Sequence, residues 1–270
     1  MVPMNRPARA SIRWRMILLG ISLTTCAVFP GCASQSEVKR LDPAMSEADL
    51  RQGKLAVLGV VKFQEPDQVR PPLVAMLERT FREERRDVPL LPADSVQKAL
   101  GPERYRRILL AYEYQGALDG GALGEISDSL RGMARFLLLA RVEKDRTRNS
   151  TRSIAETDTG TGRPDFAMGI TGRDARVAVH LYDLTRRTIV VSAVYEGSSE
   201  SSKPMVSPLR SGRGRSGVSL EVGQAVSPED QGYPGAPELA LALEEPFRAF
   251  ARMLPGAPPP SAGPQPAGRR

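Results

Sequence analysis

Along this chain the spacing of apolar positions changes several times, and each change marks an element. Residues 54–63 (KLAVLGVVKF) form a continuous apolar run rich in β-branched side chains, the pattern of a strand buried on both faces. The period then lengthens. Leu73, Leu77 and Phe81 recur at four-residue intervals behind Pro71-Pro72, predicting a helix over 71–86. Val88-Pro89-Leu90-Leu91 reads as a short extended piece, and Asp94 is placed to cap a short helix, with Gln97 three residues on and Gly101 as its stop. Pro102 suits the first turn of a helix running to about Glu113, and Asp119 caps another bearing Leu123, Ile126 and Leu130. Residues 135–142 (RFLLLARV) repeat the buried-strand pattern. Strands at 175–184 and 188–195 follow, joined through Thr185-Arg186-Arg187 as a hairpin. A last helix over 237–254 carries Leu239, Leu243, Phe247, Phe250 and Leu254 on one face, and Pro246 should kink or split it.

Strand, helices, strand, hairpin, helix: this order predicts an α/β domain over residues 53–254, a small mixed β-sheet with helices packed on it. Two polar insertions, at about 145–173 and 197–235, interrupt the pattern. Both exceed ordinary loop lengths, so each is either functional or disordered. Residues 32–52 are polar without a sustained period and read as a tether. The stretch 255–270, rich in Pro, Gly and Ala, reads as a disordered tail. No internal repeat is visible.

Ahead of the tether lies a different pattern. Arg6, Arg9, Arg13 and Arg15 precede an apolar run from Met16 to Phe29, closed by Pro30-Gly31-Cys32. A basic region, a short apolar region and a small residue before the cut site make residues 1–31 a signal peptide. The run is too short for an ordinary spanning helix, which needs about 20 apolar residues. With Gly31 before it, Cys32 resembles the lipid-bearing cysteine of a bacterial lipoprotein. Phe29 departs from the usual leucine of that signal, and Cys26 behind Thr25 fits it less well than Cys32. Ala33 and Ser34 follow, and the absence of Asp at position 33 implies, by the same resemblance, delivery to the outer membrane.

Charge then changes the picture. The chain carries 38 basic and 31 acidic residues, but the four signal arginines face no acid within residues 1–31. Without that segment the excess shrinks to +3, and Arg and Glu are interspersed, as in Arg82-Glu83-Glu84-Arg85-Arg86. Such a face is solvated rather than a phosphate track, so no nucleic-acid partner is expected. The two cysteines both lie within the first 32 residues, which leaves the folded region without a disulfide, a thiol nucleophile or a cysteine metal site.

Candidate chemistry is sparse. Gly212-x-Gly214-x-x-Gly217 matches the nominal dinucleotide fingerprint, but no strand precedes it and no helix follows, so it reads as a loop. His180, the only histidine, alternates with Arg176, Ala178 and Tyr182 opposite Val177, Val179 and Leu181, with no general-base partner legible. Asp183, Arg186 and Arg187 read as turn chemistry. Tyr105, Tyr112 and Tyr114 read either as half-buried packing or as a partner-binding ridge. HExxH, P-loop and GxSxG motifs are absent, so no enzyme, cofactor or metal is expected. Asn149-Ser150-Thr151 matches a glycosylation acceptor only formally.

The sequence from Lys54 to Val61, the helix ending near Arg86 and the stretch Leu90 to Leu110 together resemble the periplasmic domain of the curli secretion lipoprotein. The same domain occurs in a lipoprotein activator of a penicillin-binding protein and in the N-terminal domain of TolB. Leu137–Val142, Val177–Thr188 and Ile189–Tyr195 continue the likeness, which covers roughly residues 54–254. It implies an anticodon-binding-like fold used for protein contacts rather than catalysis. In the curli channel, membrane-spanning hairpins leave from the strands that precede the two insertions here. Residues 146–165 hold almost no apolar positions, and Arg210, Arg213 and Arg215 crowd the second insertion, where only Val218, Leu220 and Val222 alternate as a barrel strand would. The expectation is therefore a lipid-anchored periplasmic interaction module with an envelope protein as partner. Its contact surface would be the insertions or the face carrying His180 and Tyr182. The alternative is a subunit of an oligomeric outer-membrane secretion channel.

Overall fold

A computed structural model describes residues 36–64, 70–154, 166–205 and 232–257. In chain order the elements are β1 (Ser36–Leu41), α1 (Glu47–Gly53), β2 (Leu55–Lys62), α2 (Arg70–Glu84), β3 (Leu90–Leu91), α3 (Ala93–Leu100), α4 (Pro102–Gln115), α5 (Gly120–Ser129), β4 (Phe136–Ile154), β5 (Phe166–Asp183), β6 (Thr188–Met205) and α6 (Leu239–Met253). The strands make one mixed sheet in the order β1-β6-β5-β4-β2-β3. β3, β2 and β4 are parallel, and β4, β5, β6 and β1 alternate in direction. The fold is α/β with an open sheet, as the pattern predicts.

Helices cover both faces. On one, Leu73, Leu77 and Phe81 of α2 and Leu243, Phe247 and Phe250 of α6 pack against Leu55, Val57, Leu138, Val177, Val179 and Ala193. On the other, Val96 of α3, Ile108, Leu109 and Tyr112 of α4 and Ile126 of α5 pack against Ala56, Leu58, Leu137, Leu139 and Tyr182. This two-sided burial explains why β2 and the start of β4 read as continuous apolar runs instead of alternating ones. Leu58 is an extra residue in the β2–β4 register, so the apolar parity of β2 shifts there: Val57 and Val60 face one core, Leu58 and Val61 the other. The Tyr105 hydroxyl donates to the carbonyl of Leu58 at 2.6 Å, pairing a group that the irregularity would otherwise leave without a ladder partner.

Several local readings change. Residues 36–52, within the expected tether, hold β1 and all of α1 but its last residue, Gly53. β1 is exposed along its whole length and is held by backbone pairing to β6, so it leaves no apolar period to read. α1 is short, buries only Leu50 and starts with a Ser46–Asp49 capping box. Asp119 does cap α5, accepting from the Ala122 N–H at 2.7 Å. Asp94 does not cap α3: Pro92 occupies the cap position, and the Glu78 carboxylate of α2 accepts from the Ala93 N–H at 2.8 Å. A tertiary contact thus replaces the local one. Gly101, with φ of 80°, ends α3 as expected.

Pro246 does not split α6, which is continuous through it. Proline leaves the Ala242 carbonyl without its helical donor, and Gly197 of β6 meets the helix at that point. A Cβ on Gly197 would lie 2.1 Å from the Ala242 oxygen and 2.6 Å from Pro246 Cγ, so only glycine admits this approach.

The largest departure concerns the insertions. β4 continues to Ile154, β5 starts at Phe166 and β6 runs to Met205, so both insertions are strand over much of their described length. The Gly212–Gly217 motif and residues 258–270 of the expected tail lie outside the described residues, as do Cys32 and the signal segment.

Candidate functional site

β2 pairs with β4 only as far as Val142, and β1 pairs with β6 only as far as Tyr195. Beyond those points β4, β5 and β6 continue together as a three-stranded arm, with ladders running from Lys144–Arg176 to Ile154–Phe166 and from Arg176–Glu196 to Ala167–Met205. The change of character coincides with a register irregularity at Glu143, between the Val142–Val177 and Lys144–Arg176 pairs.

Each face of the arm has its own chemistry. On the face continuous with α2 and α6, residues 233–237 cross it as a strap. The strap contains Pro234 and Pro237, which have no N–H, so it presents chiefly carbonyls, and the arm supplies donors. Thr171 donates to the Pro234 carbonyl at 2.7 Å, Ser201 to Gly235 at 2.6 Å and Arg173 to Pro237 at 2.9 Å. The Thr151 and Tyr233 hydroxyls lie 3.0 Å apart. At the base, Asp145 is bound by Arg173 at 2.6 Å and Lys62 at 2.8 Å. Arg173 and Lys62 hold its carboxyl below the usual range, against the opposing effect of burial.

The other face is charged, and no described segment crosses it. Arg176 stands among Glu37, Glu143 and Glu196 at 3.3 to 3.9 Å, and Arg148 bridges Asp174 and Glu200 at 3.5 Å. Arg148 also lies over Gly172, whose missing side chain makes room for it. Farther out, Ile170 and Met168 of β5 lie half-buried on this face. By sequence alone these segments are polar insertions. Sequence reading misses that the polar side chains on one face serve the strap, because the donors and the strap lie 34 to 82 residues apart.

The other candidates sort cleanly. His180 is half-buried, with Nδ1 2.8 Å from the Tyr112 hydroxyl and its ring edge-on to Tyr112 and Tyr182. Burial first, then the Arg141 charge, pushes its pKa down to about 4, so it is a neutral packing residue at ordinary pH. Tyr182 is fully buried and donates no surface; its hydroxyl accepts from the Leu118 N–H at 3.0 Å. Of the expected contact face, Tyr182 is therefore interior and His180 half-buried.

Asp183 proves more than turn chemistry. Fully buried, it accepts from the Thr185 and Arg186 N–H groups and pairs with the Arg135 and Arg186 guanidiniums at 3.0 Å. Burial raises its pKa, but these donors outweigh it and the net shift is downward. Arg135 continues to Asp49, and Arg186 to Asp42, so the network ties β1 and α1 to the β5–β6 turn. Of the three tyrosines, Tyr112 is core, Tyr105 is partly buried, and Tyr114 is exposed with its ring edge-on to exposed Phe63 at 5.4 Å.

Among the described residues no group of three His, Cys, Asp or Glu side chains could hold a metal ion, and no helix is long and apolar enough to cross a membrane. No family model and no curated protein matches the chain. Solved structures do. The PelC dodecamer from Paraburkholderia phytofirmans is 18% identical over 61% of this chain and 82% of that one, with a TM-score of 0.28. The hypothetical protein CT253 from Chlamydia trachomatis is 14% identical over 57% and 73%, with a TM-score of 0.29. Lipoprotein GNA1162 from Neisseria meningitidis is 11% identical over 56% and 83%, with a TM-score of 0.28. At these values the likenesses carry nothing about function.

Proposed function

We propose that this chain is a lipid-anchored interaction module of the bacterial cell envelope, attached through Cys32 at the periplasmic face of the outer membrane and acting by protein contact. The observation that carries this reading is where the chain joins the sheet. Ser36 pairs with Tyr195, the last β6 residue before the arm begins, and β1 then runs away from the arm. Cys32 is four residues upstream, and four residues reach at most about 14 Å. On this reading, a lipid on Cys32 would leave no more than that length of chain between the bilayer surface and Ser36. The arm itself, 11 residues of β5 from Phe166 to Arg176, is roughly 35 Å long at about 3.3 Å per residue.

Its open face suits headgroups or an envelope protein better than hydrocarbon, since Arg on a lipid face costs about 2–4 kcal/mol near the midplane. Acyl chains contribute about 0.8 kcal/mol per buried CH₂, enough for stable anchorage when several are attached. Anchoring also raises the local concentration of the arm around membrane partners.

Fractionation of cells expressing wild type and Cys32→Ala tests this. Wild type should sediment with the outer membrane and incorporate labelled palmitate, and the variant should be soluble and unlabelled. A variant that stays in the membrane would sink the proposal. One observation favours the channel alternative: the β4 edge beyond Val142 and the β6 edge beyond Tyr195 have no partner strand among the described residues. Such edges are templates for further pairing. A ring-sized oligomer in mild detergent would support that alternative, and a monomer would count against it.

A further inference from the structure

β3 pairs with β2 only at Leu55–Leu90 and Ala56–Leu91, so beyond Ala56 that edge of β2 has no strand beside it among the described residues. A cleft of about 550 Å³ opens along it, floored by Gly59 and Val60 and walled by α2 on one side and α3 and α4 on the other. Its apolar lining includes Val74, Leu109 and the Tyr105 ring, together with Pro71, Pro92 and Pro102. Tyr105 is fixed by its bond to the Leu58 carbonyl, so the ring is a rigid wall. Asp94 and Glu103 stand at the rim, and neither has an ion-pair or hydrogen-bond partner among the described residues. An aromatic, proline-lined groove with unpaired carboxylates at its rim is the chemistry that receives a proline-rich segment bearing cations.

We propose that this groove is the docking site for residues 258–270 of the same chain. That segment, PPPSAGPQPAGRR, holds five prolines, two arginines and no acid. Its prolines match the apolar lining, and Arg269 and Arg270 match Asp94 and Glu103. Arg106 shares the rim and opposes the match, so the apolar body must supply most of the contact. The reach is sufficient. The Pro255 carbonyl is held by Arg85, just past the end of α2, while Glu78, Val74 and Arg70 of that helix line the groove. From Arg85 to Glu78 is about 10 Å at about 1.5 Å per helical residue. Thirteen residues in an extended polyproline conformation span about 40 Å.

The chain from Ala33 to Arg270 contains no cysteine, so a spin label on Ser261→Cys is unique. Its effect on backbone amide resonances of the isotope-labelled chain reads tail position directly. The proposal expects the resonances of Val74, Ala75, Tyr105 and Leu109 to broaden more than twofold. The broadening should fall by at least half in Asp94→Lys/Glu103→Lys. It should also weaken at about 0.5 M salt, where screening is within about 4 Å, a readout that does not depend on the variant folding. Unbroadened groove resonances, or broadening indifferent to both charge reversal and salt, would overturn it. So would equal broadening when spin-labelled chain is mixed with separate isotope-labelled chain, since the occupant would then be a second copy. Neither result bears on Cys32, so the anchor reading stands or falls separately.

Discussion

The same three strands behave as two materials. Below Val142, Val177 and Tyr195 they are the middle of an α/β sandwich, and Leu137, Leu138, Val179 and Val191 are fully buried between helices. Above, they become an arm whose side chains are mostly charged or polar, apart from residues such as Met168 and Ile170, and a strap of proline-rich backbone covers one face. The β5–β6 ladder is continuous through the junction, and the β4–β5 ladder resumes beyond the extra residue Glu143. What differs is the source of stability. The lower half gains from apolar area removed from water, at about 25 cal/mol per Å². The upper half relies on ladder hydrogen bonds and on exposed ion pairs, each of which contributes about 0–1 kcal/mol. A chain can therefore extend an arm from a stable sheet with few apolar residues in it.

Three perturbations test that contrast, the largest first. Phe247→Ala removes a fully buried ring that packs α6 on the lower sheet, and should cost about 3–5 kcal/mol in urea or thermal unfolding. A loss below about 1 kcal/mol would mean the helical layer does not hold the sheet. Acid gives an intermediate effect through His180. Its folded pKa of about 4 lies below the ordinary histidine value of 6.5, so between these values the unfolded chain binds the proton and the folded one does not. Stability is thus whole above pH 6.5 and falls as the pH drops toward 4, by roughly 2 kcal/mol after allowance for partial exposure. His180→Asn should flatten the slope in that window, and an unchanged slope would assign the effect to other groups. The smallest change is Arg148→Ala on the open face of the arm. It should alter stability by less than about 0.5 kcal/mol. A larger loss would show that the charged face is structural and not available for binding.

The comparison also shows where sequence reading succeeds. β2 and the start of β4 were legible because burial on both faces produces uninterrupted apolar runs, and α6 because Leu239, Leu243, Phe247 and Phe250 fall on one stripe. β1 and the arm were not, since strands held by pairing and polar contacts need no apolar period. The Asp94 reading failed for a related reason: a local motif competed with Glu78, which the packing of α2 beside α3 brings to the same N–H.

By itself, the sequence determined the α/β class, the principal helices and strands and the hairpin through Thr185-Arg186-Arg187. All of these rest on local periodicity or contiguous motifs. Only the tertiary structure decided that the insertions continue the sheet, that the Pro234–Pro237 strap is met by Thr171, Ser201 and Arg173, and that Asp183 joins β1 and α1 to the β5–β6 turn. It also decided that among the described residues no strand lies beside β2 beyond Ala56, where a proline-lined groove runs. These features arise from groups far apart in the chain, and a polar side chain carries no sign of its distant partner until the apolar core has set the distance between them.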